Sequence, residues 1–237
     1  MGRIFEKRKH KMFARFDRMA KAFSRLGKEI AIAVKQGGPL PENNPRLRAA
    51  IQTAKGVNMP KDRVEAAIKR ASNKDEKDFE EVVYEGYGPH GVAILCECAT
   101  DNTNRTVANI RSIFGKAGGA VGKTGSLDFI FSQKGAFKLK HTGQDLEELE
   151  FSLIDHGLEE LLLDEEEGQI IIYTAFVDYA RMQKALEALG IELLSSELER
   201  VPQSFVDVPE EFHDEILDLV ERIEEDDDVQ KVYHNMK

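Results

Sequence analysis

The chain has 237 residues, with 33 Lys+Arg against 43 Asp+Glu, for a formal net charge of −10. A hydrophobic fraction of 41% supports ordinary cores, and no run of 18 apolar residues exists that would form a membrane-spanning helix. The charge is unevenly divided: residues 1–70 hold 18 Lys+Arg and 6 Asp+Glu, whereas residues 71–237 hold 15 and 37, so a basic segment sits on an acidic body.

The length suits two or three small domains. The opening MGRIFEKRKHK is basic but has neither an apolar core nor a cleavage site, so it does not read as a secretory signal. From Phe5 to about Gln36, apolar residues Met12, Phe16, Met19, Phe23, Leu26 and Ile30 recur at alternating spacings of 4 and 3, which predicts one long amphipathic helix. Phe13 falls off that stripe and is a candidate for stacking or docking. Gly37-Gly38-Pro39 stops the helix. Asn44-Pro45 then reads as the N-cap and first residue of a second helix, with Leu47, Ala50, Ile51 and Ala54 inward. After Asn58-Met59-Pro60 a third helix turns Val64, Ala67, Ile68 and Ala71 inward. Residues 72–80 read as a charged linker.

Strands are expected at Glu81–Glu85 and Gly91–Ala99, with Val92, Ile94, Cys96 and Cys98 sharing one face of the second. Cys96 and Cys98 are too close for an easy disulfide, which fits a reducing compartment and a cytoplasmic location. Asp101 or Asn102 caps a helix over 103–117, ended by Gly118-Gly119, and a further strand is expected at Leu127–Phe131. Residues 135–201 then read β-α-β-β-α-β, the split βαβ, ferredoxin-like plan. A helix over about 209–225 and a strand at Val229–His234 close the chain. The expected fold class is α+β: an N-terminal all-helical domain at 1–75, an α+β domain built from 81–134 and 206–237, and a ferredoxin-like α+β domain at 135–205 inserted into it.

Several features that resemble catalytic or metal motifs fail on spacing. Gly118–Thr124 resembles a phosphate loop, but only three residues separate Gly118 from Gly122-Lys123-Thr124, and the loop follows a helix rather than a strand. A helix cap followed by a turn explains it better, with Lys123 left as a phosphate contact. Cys96-Glu97-Cys98 lacks a second cysteine pair, and the acidic runs Asp164–Glu167 and Glu224–Asp228 lack the spaced ligands of a calcium loop. Those runs read as a solvated hairpin tip and a solvated helix end. An enzyme reading would rest on Asp101, Asn102 and Arg105, but no catalytic constellation accompanies them. No enzyme activity, cofactor or metal is expected.

The basic residues point elsewhere. A +12 excess over seventy residues is the electrostatic footprint of nucleic-acid binding. Lys11, Arg15, Arg18, Arg46, Arg48, Lys61, Arg63 and Arg70 are the expected phosphate contacts of the helical domain. A second basic stripe, Arg105, Asn109, Ser112 and Lys116, runs along the helix at 103–117, with Asn102 at its N-terminus and Lys123 in the loop beyond.

Five segments together resemble one family: KAFSRLGKEIAIAVKQGG (21–38), NPRLRAAIQTAKGVNMPKDRVEAAIKRA (44–71), the long block YEGYGPHGVAILCECATDNTNRTVANIRSIFGKAGGAVGKTGSLDFIFSQKG (84–135), YTAF (173–176) and DVQKVYHNM (228–236). The chain resembles the YebC/PmpR family, which includes the mitochondrial translational activator of cytochrome oxidase. The resemblance implies three domains and a non-catalytic, nucleic-acid-associated regulator. Members are described as DNA-binding transcriptional regulators, and others as translation factors that act on ribosomes and relieve stalling. The partner implied is therefore DNA or ribosomal RNA, with the ribosome itself a further candidate. The acidic body argues for the ribosome, which offers basic protein as well as RNA. Many members open with Gly-His-Ser-Lys-Trp; this chain has no Trp, so no role of that opening carries over.

Overall fold

The computed structural model describes residues 3–73 and 78–237, with side chains described from residue 19 onward. Three helices come first: α1 (Arg3–Gly37), α2 (Pro45–Gly56) and α3 (Lys61–Ala71). Strands β1 (Glu80–Tyr87) and β2 (Ala93–Thr100), helix α4 (Thr103–Lys116) and the two-residue β3 (Ala120–Val121) follow. Next come β4 (Phe131–Lys140), α5 (Leu146–Leu153), β5 (Leu158–Asp164), β6 (Gln169–Ala175), α6 (Tyr179–Ala188) and β7 (Leu193–Pro202). Helix α7 (His213–Glu224) and β8 (Val229–His234) close the chain. The class is α+β, as the residue pattern predicts.

The helical layer packs Leu26, Ile30, Ala33 and Val34 of α1 against Leu47, Ala50 and Ala54 of α2 and Val64 and Ala71 of α3. Asn44 sets the turn between α1 and α2. Its Oδ1 accepts from the Leu47 amide at 3.0 Å, while its Nδ2 donates to the carbonyls of Ala33 (2.7 Å) and Gly38 (2.9 Å). One buried amide thus caps α2 and satisfies carbonyls at the end of α1.

The first sheet has the order β3-β1-β2-β8, and β8 joins β2 antiparallel although the rest of the chain from β4 to α7 lies between β3 and β8. Val92, just before β2, and Ile94, Cys96 and Cys98 of β2 face Ile110 and Phe114 of α4 and Ile216, Leu219 and Ile223 of α7. The alternation predicted for β2 places these four on one face. The second sheet has the order β5-β6-β4-β7, all antiparallel, with α5 and α6 packed on one face through Leu149, Leu153, Met182 and Leu186.

One predicted element is corrected. Residues 124–130 form turns, not a strand, and only Phe131 of the expected Leu127–Phe131 belongs to β4. Ile130 and Phe131 amides both donate to the Leu127 carbonyl, at 2.8 and 3.1 Å. Leu127, Ile130 and Phe131 are buried against Ala93 and Leu95 on the second face of β2, while Phe129 is 74% exposed. Burial at spacings 3 and 1 marks a helical turn rather than strand alternation.

The pieces are joined by direct contacts. Arg200 Nε donates to Glu97 Oε1 at 3.1 Å, and Lys231 pairs with Glu197 while donating to the Leu198 carbonyl at 3.2 Å, so β7 is tied to β2 and β8. Helix α2 sits against β7, where Gln52 Nε2 donates to the Leu193 carbonyl. Gly56 makes that approach feasible: a Cβ there would stand 2.0 Å from the Leu194 carbonyl oxygen. Gly56→Ala is expected to lower stability by about 1–3 kcal/mol, read as a lower urea midpoint. Gly27→Ala, in α1 with nothing within 4 Å of the added methyl, is expected to hold or raise the midpoint, by up to about 1 kcal/mol.

Candidate nucleic-acid interface

The predicted contacts of the helical layer divide into committed and uncommitted groups. Arg46 forks onto Glu81, with Nη1 donating to Oε2 at 2.9 Å and Nη2 to Oε1, and Nη1 also meets Gln36 Oε1 at 2.9 Å. That hydrogen bond lowers the Glu81 carboxyl and raises the Arg46 guanidinium, so each partner stabilises the other's charge. Arg48 donates to the carbonyls of Pro41 (2.9 Å) and Glu42 (3.1 Å) and braces the turn before α2. Arg63 lies over the Phe23 ring, 5.6 Å from its centroid. Lys61 pairs loosely with Glu65 at 3.5 Å, both highly exposed. Arg70 is exposed, and its side chain has no partner among the described residues. The same is true of Lys55 and of Lys69, which the spacing of α3 turns outward; neither is among the phosphate contacts expected from sequence. The side chains of Lys11, Phe13, Arg15 and Arg18 lie outside the described residues.

Half of the α4 stripe is committed, at the surface, to acids of the same body. Asn102 is the N-cap, its Oδ1 accepting from the Arg105 amide at 3.1 Å. Arg105 Nη2 donates to Asp228 Oδ2 at 2.6 Å and to Asp101 Oδ1 at 2.9 Å. Asn109 Nδ2 donates to Asp226 Oδ2 at 2.9 Å. All four residues of the stripe are exposed, but of them only Ser112 and Lys116 have side chains with no partner among the described residues, and Lys123 is exposed beyond the helix.

Asp228 is the centre of this network, and it corrects the reading of Glu224–Asp228 as a wholly solvated run: Asp228 is only 4% exposed. Its Oδ2 also accepts from Thr106 Oγ1 at 2.8 Å and Thr100 Oγ1 at 3.0 Å. Its Oδ1 accepts from Lys28 Nζ of α1 at 3.1 Å. Lys28 completes its own set with the carbonyls of Asp227 (2.7 Å) and Ala99 (3.0 Å), so all three of its N–H groups have a partner. Nearby, Arg25 Nη2 donates to the Glu224 carbonyl at 3.0 Å. Burial works against the Asp228 charge, but the hydrogen bonds from Arg105, Thr106, Lys28 and Thr100 outweigh it and hold the carboxyl down at about 2.

The glycine loop is pinned by another buried carboxylate. Gly118 adopts φ +74°, and the Gly119 amide donates to the Phe114 carbonyl at 2.9 Å, a helix-terminating arrangement. Glu85, 3% exposed, accepts from the amides of Gly125 (2.8 Å) and Leu127 (2.6 Å) and from Ser126 Oγ (3.3 Å). Lys123 projects between those two anchors. No P-loop geometry arises, since the loop ends a helix and enters a two-residue strand.

Among the described residues there is no group of three or more His, Cys, Asp or Glu arranged to hold a metal. Burial raises both thiols, Cys98 to about 12, so neither stands as a thiolate near neutrality. Among the same residues no helix is long and apolar enough to cross a membrane.

The structure is thus an α+β chain in which a basic helical layer is latched to a body of two antiparallel sheets. The description "TACO1/YebC protein N-terminal domain" matches residues 3–74, and "TACO1/YebC second and third domain" matches residues 79–236. The chain belongs to the TACO1/YebC family. It is 59% identical over 236 residues to a protein of Cytophaga hutchinsonii named "Probable transcriptional regulatory protein", covering 100% of this chain and 98% of that one. A protein of the same name from Anaeromyxobacter dehalogenans is 54% identical, with 100% of both chains covered. A crystal structure of a conserved hypothetical protein from Aquifex aeolicus superposes with a TM-score of 0.81 at 39% identity, covering 92% of this chain and 90% of the other.

Asp228→Asn keeps the shape of the hub and removes its charge, leaving Lys28 without its anion and Arg105 with Asp101 alone. The expected loss is about 2–4 kcal/mol, measured by urea unfolding at neutral pH. The pH dependence follows from the depressed carboxyl. Its contribution is fully present above the unfolded value of 3.8 and is lost as pH falls toward about 2. The stability difference between the two proteins is therefore expected to shrink between about pH 4 and pH 2; a constant difference across that window contradicts the latch.

Proposed function

We propose that this chain is a non-enzymatic regulator that binds nucleic acid through the phosphate backbone, using the exposed cations of α2 and α3. The observation that carries this reading is the set Lys55, Lys69 and Arg70, which are exposed and have no partner among the described residues. The body carries acids enough to pair with them, yet it pairs with Lys28 and Arg46 of the same layer instead. An unpaired cation is available to neutralise a phosphate, and release of the counterions condensed on the nucleic acid is what drives that binding. Arg48, Lys61 and Arg63 border the set. Lys116 and Lys123, exposed on the body, supply a smaller second contact.

The relatives' names favour a transcriptional regulator, and the reading proposed for it is DNA binding in the cytoplasm. The ribosomal RNA reading has its own support in the acidic body, which would be repelled by an isolated duplex but accommodated among basic ribosomal proteins. In either case the division of labour follows the proposed domains: 1–75 as the basic grip, 81–134 with 206–237 as the body that holds it, and 135–205 as an inserted unit.

The test is a salt titration of binding to a labelled DNA duplex and to ribosomal RNA fragments. Log affinity is expected to fall linearly with log salt for the true ligand. Lys69→Glu/Arg70→Glu is expected to weaken binding and to shallow the slope by about 1–2. An affinity that ignores salt, or a double variant that binds as well as the parent, removes the reading. A large preference for one duplex sequence assigns DNA; preference for ribosomal RNA assigns the ribosome.

A further inference from the structure

Helices α5 and α6 lie together on the second sheet, with Leu149, Leu153, Met182 and Leu186 turned inward. Between their outer edges runs an open groove of about 360 Å³. Ala185, Ala188 and Leu189 form its apolar surface, and His156, Arg181 and Lys184 stand along it; no carboxylate is among the lining residues. This arrangement is unusual for its surroundings. Residues 135–205 hold 5 Lys+Arg against 16 Asp+Glu, so two of five cations meet at one groove while the acids lie elsewhere.

The apolar surface extends beyond the groove. Leu189 is 51% exposed, and Val177, one turn before Arg181, is 84% exposed. Val177, Arg181, Lys184 and Ala188 follow one another at spacings 4, 3 and 4, which aligns apolar and basic groups along one side of α6 and the turn that leads into it. Arg181 holds Asp178 at 2.9 Å through Nη2, which leaves its other N–H groups to face a ligand. Lys184 is exposed and has no partner among the described residues.

We infer that this groove docks an acidic, amphipathic segment of another protein. An apolar side chain of that segment covers Ala185, Ala188 and Leu189, and its carboxylates meet Arg181 and Lys184. Charge complementarity selects this occupant. A long polyanion such as RNA would have to lie along the acidic remainder of this unit and be repelled by it, whereas a short segment brings only a few carboxylates and places them on the cations. An apolar surface without its cations would accept basic segments as readily; here they are repelled. The surface is separate from the phosphate grip of α2 and α3 and does not depend on it.

The test uses the full chain and a fluorescein-labelled synthetic helical peptide of about 16 residues, with a leucine stripe flanked by glutamates. A second peptide carries lysine in place of every glutamate. Saturable binding of the glutamate peptide is expected, with no binding of the lysine peptide. Arg181→Glu/Lys184→Glu is expected to weaken it by about tenfold or more. Ala188→Trp, which fills the groove without altering charge, is expected to weaken it to a similar degree. Both cations are exposed, so the double variant tests the surface even if Ala188→Trp is poorly folded. Nucleic-acid affinity is expected to be the same in the parent and both variants. The inference is overturned by absence of saturable binding, by equal binding of both peptides, by unchanged peptide binding in the double variant, or by loss of nucleic-acid affinity in it.

Discussion

The Asp228 carboxylate has an energetic role that its place in an acidic run conceals. It is surrounded by two cations and two hydroxyls drawn from three parts of the chain: Lys28 on α1, Arg105 and Thr106 on α4, and Thr100 at the end of β2. Burying one carboxylate beside two cations is favourable only while every partner is in place. The hub therefore fixes α1, and with it the helical layer, against the end of the first sheet. Arg46–Glu81 and the Gly56 approach to β7 add two further points of attachment. Three separated contacts on one layer define its orientation in a way that one cannot.

This division of cations has a functional consequence. Lys28 and Arg46 spend their charge inside the molecule, holding the basic layer to the acidic body, while Arg105 spends its own within that body. Lys55, Lys69 and Arg70 remain for a partner. The +12 of the first seventy residues is thus not a uniform field. Part of it is structural, and the remainder is presented on a surface whose direction the latch determines. On the proposed function, the acidic body contributes by repulsion, since it disfavours approach of nucleic acid away from its exposed cations.

Much of the architecture was legible from periodicity. The stripe of α1, the Asn44-Pro45 start of α2, the single face shared by Val92, Ile94, Cys96 and Cys98, and the order of the second sheet all follow from spacing and turn residues. Leu127–Phe131 did not, because LDFIF reads equally as a strand or as a turn, and the deciding interaction is Glu85, some forty residues earlier. The site was less legible still. Spacing places Arg105 and Asn109 on the face of α4 away from Ile110 and Phe114, and this is correct. It says nothing of Asp226 and Asp228, more than a hundred residues later, which occupy that face. Within EEDDD, nothing local distinguishes the buried Asp228 from its solvated neighbours. Lys55 and Lys69 are missing from the contacts expected from sequence, although spacing turns Lys69 outward, for the converse reason: being unpaired is a property of three-dimensional surroundings, and sequence carries no mark of it.

The central claim is that the exposed cations of α2 and α3 hold nucleic acid in the cell. Crosslinking in living cells, with sequencing of bound RNA and DNA and peptide mapping of the attachment points, tests it directly. The account predicts recovered nucleic acid attached within residues 45–71. Crosslinks confined to the two-sheet body, or no nucleic acid above an uncrosslinked control, would contradict it.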